Sequence, residues 1–378
     1  MVLLIWLYLM AARGGFWRTA ERDDDAASWN GPWPAVTAII PARDEAEYVG
    51  AAVDSLIRQD YPGRFDLVVV DDQSRDATAR VARDGAAALG ATDRLTVQSG
   101  RPLPAGWTGK LWAQQQGVQL AETAAQPPTY LLLTDADIAY APDTLANLVA
   151  RAERGDLVLA SLMAKLRCES FAERAFVPAF IFFFQMLYPF AWANDPRRTT
   201  AAAAGGCMLV RREALQRAGG LAAVRDALID DCALAKALKR CGPISLTLTE
   251  RVRSIRAYPA LADIRRMVSR TAYAQLNYSP LALAGTIFAL ALTYLAPVAL
   301  AVFAAGVAQF IGIFVWLLMA FAFRPTLRLY RMSWPWAAAL PAIAAMYMAF
   351  TVDSAYQHAR GRGGMWKGRP QAKISESP

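Results

Sequence analysis

The chain has 378 residues, 55% apolar and only 19% charged, with a formal net charge of +8, which suits one sizeable catalytic domain plus extra elements. Its basic excess flanks apolar runs (Arg13, Arg18, Arg324, Arg328, Arg331 and residues 360–373) without any nucleic-acid-binding signature, so it reads as anchoring on an anionic membrane surface, with no nucleic acid as partner. A single histidine, His358, excludes Ser-His-Asp, Cys-His and His-rich metal sites, and four cysteines without C-x-x-C spacing exclude a zinc site or disulfide framework, so the chemistry must run on carboxylates, lysine and arginine.

In chain order, "MVLLIWLYLMAARGGFW" lacks a basic n-region and a small-residue cleavage site, so residues 1–18 read as an N-terminal membrane anchor, short for a full span. Arg13, Arg18 and Arg22 behind it place the following domain in the cytoplasm. Strands are predicted at 36–40, 65–70, 95–97, 130–134 and 157–162, with helices between them at 45–59, 76–89, 110–124 and 142–154. Short continuous apolar runs alternating with helices predict an α/β fold whose parallel sheet is covered on both faces. Ligands gather at the carboxyl ends of such strands. Three acidic clusters fall there: "PARDE" (41–45), "DDQSRD" (71–76) and "DAD" (135–137).

No Gly-rich G-x-G-x-x-G follows either early strand, which argues against the usual dehydrogenase fold. Glu45 and Asp72 are placed to accept hydrogen bonds from a base or ribose; Asp44 and Asp76 suit ordinary helix N-caps. Two like charges one residue apart, Asp135 and Asp137, cost stability unless a positive group joins them. Mg²⁺ or Mn²⁺ takes oxygen ligands and keeps sites open for phosphates; the bland alternative is a turn with Asp137 as a cap. "GWTGKLWA" puts Lys110 at a helix start, a natural phosphate contact or else a solvated surface lysine. "LIDDCALAKALKR" opens a helix with Asp230 and Asp231, a general base for a hydroxyl or else a cap. Between them "AAAAGGCMLV" offers Gly205, Gly206 and Cys207 for close approach to a ligand, on the acceptor side.

Further on, 175–193 is nearly long enough to span a bilayer, but Pro178, Gln185 and Pro189 make it an interfacial segment. Pro280 to Phe323 carries no formal charge and suits two membrane helices turning near Ala304–Gly306, with a third over 332–352, giving C-terminal transmembrane helices in 280–352 and a basic tail over 353–378. Three spans would send that tail outside, against the positive-inside tendency, unless Pro335 and Pro341 mark a re-entrant or interfacial final segment.

Pro41/Glu45, Val70-Asp71-Asp72-Gln73-Ser74-Arg75-Asp76-Ala77-Thr78, Gly109-Lys110, Asp135/Asp137, Gly205-Gly206 and Asp230-Asp231 resemble the signatures of family 2 glycosyltransferases, over about residues 36–275. "GWTGKLWA", "TDADI" and "TAYAQLNYSPL" look like the hopanoid-biosynthesis-associated (HpnB) branch, related to the ceramide glucosyltransferases. The resemblance implies a GT-A catalytic domain and a nucleotide-sugar donor, of UDP type. Pro41, Glu45, Asp71 and Asp72 would hold the nucleoside, Lys110 the pyrophosphate, Asp135 and Asp137 the sugar phosphate and metal, with Asp231 as base. The family's Q/R-x-x-R-W signature is not intact: "DIRRMVSRTAY" offers Arg265, Arg266 and Arg270 for the diphosphate but no tryptophan. The expectation is an inner-membrane, multi-pass enzyme facing the cytoplasm that glycosylates a lipid hydroxyl. Its rivals are a processive polysaccharide synthase, a lipid-phosphate sugar or nucleotidyl transferase, and a non-catalytic scaffold.

Overall fold

The computed structural model describes residues 1–25, 28–367 and 369–370; the end of the basic tail, with Lys373, lies outside the described residues. Two compact units are present. One comprises residues 21–166, 192–256 and the tail from 365; the other comprises residues 1–20, 167–191 and 257–364.

The first unit is built on an eight-stranded sheet: β1 Val36–Ala42, β2 Phe65–Asp71, β3 Leu95–Ser99, β4 Tyr130–Thr134, β5 Ile138–Tyr140, β6 Leu159–Lys165, β7 Cys207–Arg211 and β8 Ile244–Ser254, in the order β3-β2-β1-β4-β7-β6-β8-β5. The first four are parallel, with Ile39 opposite Val68 and Leu133. Their residues alternate between two cores. Ala38, Ile40, Leu67, Val69 and Leu132 face helices Val49–Ile57, Thr78–Ala88 and Thr144–Arg154. Ile39, Val68, Val70, Leu131 and Leu133 share the other core with helices Gly109–Glu122 and Asp230–Leu238. Burial on both faces is what makes these strands read as unbroken apolar runs. Helix Gly109–Glu122 lies close on the sheet, since a Cβ at Gly117 would stand 2.6 Å from Ile39 Cγ2.

The sheet is mixed and mostly parallel, as a GT-A fold implies. Strand β7 inserts antiparallel between β4 and β6, and β5 pairs antiparallel with β8. Strands β7 and β8 lie beyond the regular strand–helix alternation, and the three-residue β5 lies between β4 and helix Thr144–Arg154; none of the three was predicted.

The second unit is helical. Three helices are long and apolar enough to cross a membrane: Pro280–Phe303, Val307–Leu329 and Trp334–Ala359. The first two are joined through Ala304–Gly306, where Gly306 adopts φ +62, a conformation glycine takes at low cost. Residues 175–193 fall largely in helix Phe171–Leu187, opened by a capping box in which Ser170 accepts the Glu173 N–H and Glu173 accepts that of Ser170. Its Phe182 ring meets Phe16 and Phe323, and Phe176 meets Phe350. The N-terminal helix, Val2–Ala11, buries Trp6, whose indole N–H donates to the Thr293 carbonyl at 2.8 Å. The unit boundary at Arg256 assigns 257–275, with Arg265, Arg266 and Arg270, to this helical unit, although the sequence reading carried the catalytic domain to 275.

Candidate active site

The acids at the ends of β1, β2 and β4 meet cations in two linked clusters, and the D-x-D segment joins them. In the first cluster, Lys110 stands in the first turn of helix Gly109–Glu122, capped by the Thr108 hydroxyl, which accepts the Leu111 N–H. Its Nζ lies 2.9 Å from Asp135 Oδ1 and 3.2 Å from Asp230 Oδ2. Burial alone would lower the Lys110 ammonium, but Asp135, Asp230 and Asp231 outweigh it and hold it above the ordinary lysine range. Asp135 is itself pushed up, by burial first and by the neighbouring Asp137 charge, with Lys110 opposing.

Asp231 follows Asp230 at the start of helix Asp230–Leu238. Its Oδ2 accepts the Gly205 N–H at 3.0 Å and its Oδ1 the Cys232 N–H at 2.7 Å. Burial and the Asp230 charge push its carboxyl up to about 6, against the pull of Lys110 and the two N–H donors. The Gly205 backbone comes close to both groups: a Cβ there would stand 3.2 Å from Lys110 Nζ and 3.4 Å from Asp231 Oδ2. The Gly206 carbonyl accepts from the Thr134 and Tyr140 hydroxyls, which ties this segment to the end of β4.

The second cluster is organised by Arg256, just past β8. Its Nε lies 2.6 Å from Asp137 Oδ2, its Nη2 lies 2.7 and 2.6 Å from the two Glu45 oxygens, and its guanidinium covers the Tyr48 ring at 4.7 Å. Burial opposes the charge, yet Asp137 and Glu45 raise the guanidinium further. Glu45 also meets Lys367 Nζ at 2.9 Å. Asp72 is fully buried, 3.7 Å from Arg43 Nη1. Pro41 lies in β1 two residues past the last β1–β4 pair.

Most of the predicted acids are therefore brought to one end of the sheet, but in different capacities. Asp71 accepts the Ser74 N–H as a turn cap. Asp76 accepts the N–H groups of Ala46 and Thr78. Asp44 caps no helix, since the next one starts at Val49 and Asp44 has φ +50. Cys207 is corrected: its side chain is fully buried in the core, with its thiol pushed up to about 12 by burial, so it presents nothing to a ligand. Arg266 is largely exposed and pairs with Asp263 in its own helix; Arg270 is the residue that ends that helix. Sequence reasoning missed Arg256 and Lys367. The signal for Arg256 was its place two residues past a strand that alternates Leu and Thr over 246–249.

The residues fit a hard divalent cation. Asp135 and Asp137 present carboxylate oxygens, and each holds a cationic side chain within 3 Å. Among the described residues no group of three or more His, Cys, Asp or Glu side chains converges to hold an ion. Further ligands would come from phosphate oxygens or water.

Residues 37–219 match the sequence profile of Glycosyl transferase family 2. The 4,4'-diaponeurosporenoate glycosyltransferase of Staphylococcus aureus (strain USA300) is 37% identical over 117 residues, 30% of this chain and 28% of that protein. The same enzyme from the bovine strain RF122 is 36% identical over the same shares. The match thus spans little more than a quarter of these relatives. A mannosyltransferase from Pyrobaculum calidifontis, PcManGT, solved in complex with GDP-Man and Mn²⁺, superposes with a TM-score of 0.50 at 21% identity, over 98% of this chain and 100% of that one. That likeness bears on the fold, and it agrees with the mixed sheet described above. Residues 37–219 thus resemble family 2 glycosyltransferases in sequence, on a GT-A-like fold.

Proposed function

We propose that the chain transfers a sugar from a nucleotide diphosphate donor, of UDP type, to a hydroxyl of a membrane lipid, with inversion. The observation that carries the reading is Lys110, shared between Asp135 and Asp230 with Asp231 alongside on Gly205. It joins the strand-end acids suited to a donor phosphate to a carboxylate suited to a proton.

The acceptor oxygen attacks the anomeric carbon, the bond to the diphosphate oxygen breaks, and the acceptor proton passes to Asp231. Raised to about 6, that carboxylate is ionised at neutral pH yet basic enough to take the proton. Lys110 is fixed at a helix N-terminus, where its ammonium and the helix amides favour the diphosphate. Glu45, beside Arg256, is the polar group proposed to meet a nucleoside, with the fully buried Asp72 behind it holding Arg43. A Mg²⁺ or Mn²⁺ ion held by Asp135 and Asp137 would supply Lewis-acid stabilisation of the leaving diphosphate.

A lipid acceptor is supported by the three apolar helices and by relatives whose name specifies 4,4'-diaponeurosporenoate as the glycosylated compound. A hopanoid or glycolipid product, in a bacterial-type inner membrane with the catalytic unit facing the cytoplasm, completes the proposal. Membranes containing the chain are to be incubated with a panel of radiolabelled nucleotide sugars and their lipids extracted. One donor should label a lipid in a divalent-dependent manner. Label that stays aqueous with every donor would overturn the proposal.

A further inference from the structure

We infer that the third apolar segment, Trp334–Ala359, does not cross the bilayer but dips in and returns, so that the stretch between Arg256 and Met365 crosses only twice; the inference rests on the membrane reading above. Chain connectivity supplies the first argument. The polypeptide leaves the catalytic unit after Arg256 and rejoins it at Met365. Its return is fixed by hydrogen bonds inside that unit. Lys367 Nζ reaches Glu45 at 2.9 Å and the Asp44 carbonyl at 3.0 Å, while the Lys367 carbonyl accepts from Arg43 Nε at 3.2 Å. A folded unit that holds none of the three candidate spans lies on one side of a membrane. The number of crossings between Arg256 and Met365 is then even, whereas three spans would be odd.

Contacts within the helical unit identify the segment that turns back. Helices Pro280–Phe303 and Val307–Leu329 form a close antiparallel pair: a Cβ at Gly312 would stand 2.4 Å from Ala301 N, and Gln309 donates to the Ala301 carbonyl at 3.2 Å. Small residues that let helix backbones approach are what membrane pairs use. After Arg331 the chain runs through a 3₁₀ turn, Trp334–Ala339, back along the second helix, where the Trp316 indole donates to the Ala338 carbonyl at 3.0 Å. At 1.5 Å per residue Trp316 lies about 12 Å along the helix from Arg324, the nearest charge, so Ala338 sits within the apolar layer.

Helix Leu340–Ala359 then returns to the level where the first span began. The Ser269 hydroxyl donates to Asp353 at 2.8 Å, Ser354 accepts the Tyr273 N–H at 3.0 Å, and His358 stacks on Tyr278 at 4.3 Å, two residues before Pro280. Its last turns carry Asp353, Gln357 and His358, groups suited to an interface, while Pro335 and Pro341 flank the deep turn. Within the 3₁₀ turn Ala337 packs on protein at 2% exposed, and the Ala338 carbonyl is satisfied by the Trp316 indole, while Trp334, Pro335 and Ala338 are exposed. This path puts Arg324, Arg328, Arg331, Arg360 and Arg362 on the face occupied by the catalytic unit, which removes the conflict with the positive-inside tendency.

The test uses the full-length chain in its membrane, with the two cysteines that are not buried replaced (Cys168→Ser, Cys241→Ser). Exposed positions are then changed one at a time: Asp93→Cys in the catalytic unit, Ala305→Cys in the turn between spans and Arg362→Cys beyond the last helix. A membrane-impermeant maleimide is applied to intact cells and to inverted vesicles. Positions 93 and 362 should label from one face and position 305 from the other. Labelling of 362 from the face opposite to 93 would establish three crossings and overturn the inference; labelling of 305 from the same face as 93 would overturn it by removing the hairpin. Release of the chain by alkaline carbonate would instead overturn the membrane reading itself, whatever the labelling pattern.

Discussion

Replacing Arg256 by methionine tests whether one guanidinium holds the donor-side acids. The substitution keeps an apolar stem over Tyr48 and removes the cation that lies 2.6 Å from both Asp137 and Glu45. The Glu45 and Asp137 side chains are 8% and 12% exposed, so their charges are poorly solvated without a partner. Removing one member of a buried pair costs about 3–5 kcal/mol. The guanidinium is itself 23% exposed, and Lys367 stays on Glu45, so the low end, about 3 kcal/mol, is the expected loss. For a unit of this size that corresponds to a fall of about 6–12 °C in Tm. Mn²⁺ with a nucleoside diphosphate, at about 100 times its Kd, returns about 2.7 kcal/mol. The Arg256→Met chain should gain more from Mn²⁺ than the parent, because no side-chain cation has to be displaced from Asp137. Thermal unfolding of the detergent-solubilised protein with and without Mn²⁺ measures both effects. An unchanged metal-free Tm, or an equal Mn²⁺ response in the two chains, would refute the reasoning.

The Asp231 carboxyl gives a pH signature. Because it is raised from 3.8 to about 6, its protonated form adds stability that is fully present below about 4 and is lost as pH rises through 6. The shift corresponds to about 3 kcal/mol, trimmed to about 1–2 by water at this partly exposed group. Turnover should rise through pH 6 to a plateau, and Asp231→Asn should abolish transfer while keeping donor binding; unchanged turnover would remove Asp231 as base. Asp137→Ala should abolish divalent-dependent donor binding in titration calorimetry, and undiminished binding would remove Asp137 as a ligand. In the helix pair, Gly312→Val drives a side chain into the backbone at Ala301 and Pro297 and should cost about 1–3 kcal/mol. Gly285→Val, which meets nothing within 4 Å, should be neutral by the same unfolding assay.

The half of the sheet that could be read from sequence was the half in which every strand is followed by its own helix. The runs 36–40, 65–70 and 130–134 became β1, β2 and β4 with ends shifted by at most two residues. Strand β7 escaped because its five residues follow an alanine–glycine stretch and its direction is set by β4 and β6 rather than by a local signal. Strand β8 does alternate Leu and Thr over 246–249, but it lies where the helix–strand rhythm has stopped. Acids at strand ends were legible because strand polarity alone places them. Arg256 reaches Glu45 and Asp137 only through the pairing of β8 with β5, which no short-range pattern encodes. Lys367 is farther still, contributed by the segment after the last apolar helix.

The split of the D-x-D pair changes what its charges do. One ion lodged between Asp135 and Asp137 was the expectation, but each acid takes its own side-chain cation, Lys110 for the first and Arg256 for the second. Both cations are held charged by the acids around them, so neither can be neutralised to admit a ligand; each has to move its charge to a new anion. On the proposed function, a nucleotide diphosphate with its divalent ion would satisfy that requirement: Asp135 and Asp137 would hold the ion, and Lys110 and Arg256 would turn toward the phosphates. A free divalent ion would satisfy only half of it, leaving Lys110 with Asp230 and Arg256 with Glu45 but each one carboxylate short. A metal-free diphosphate satisfies only the other half, leaving Asp135 and Asp137 bare. On the proposed function, metal and donor should therefore bind far more tightly together than either does alone.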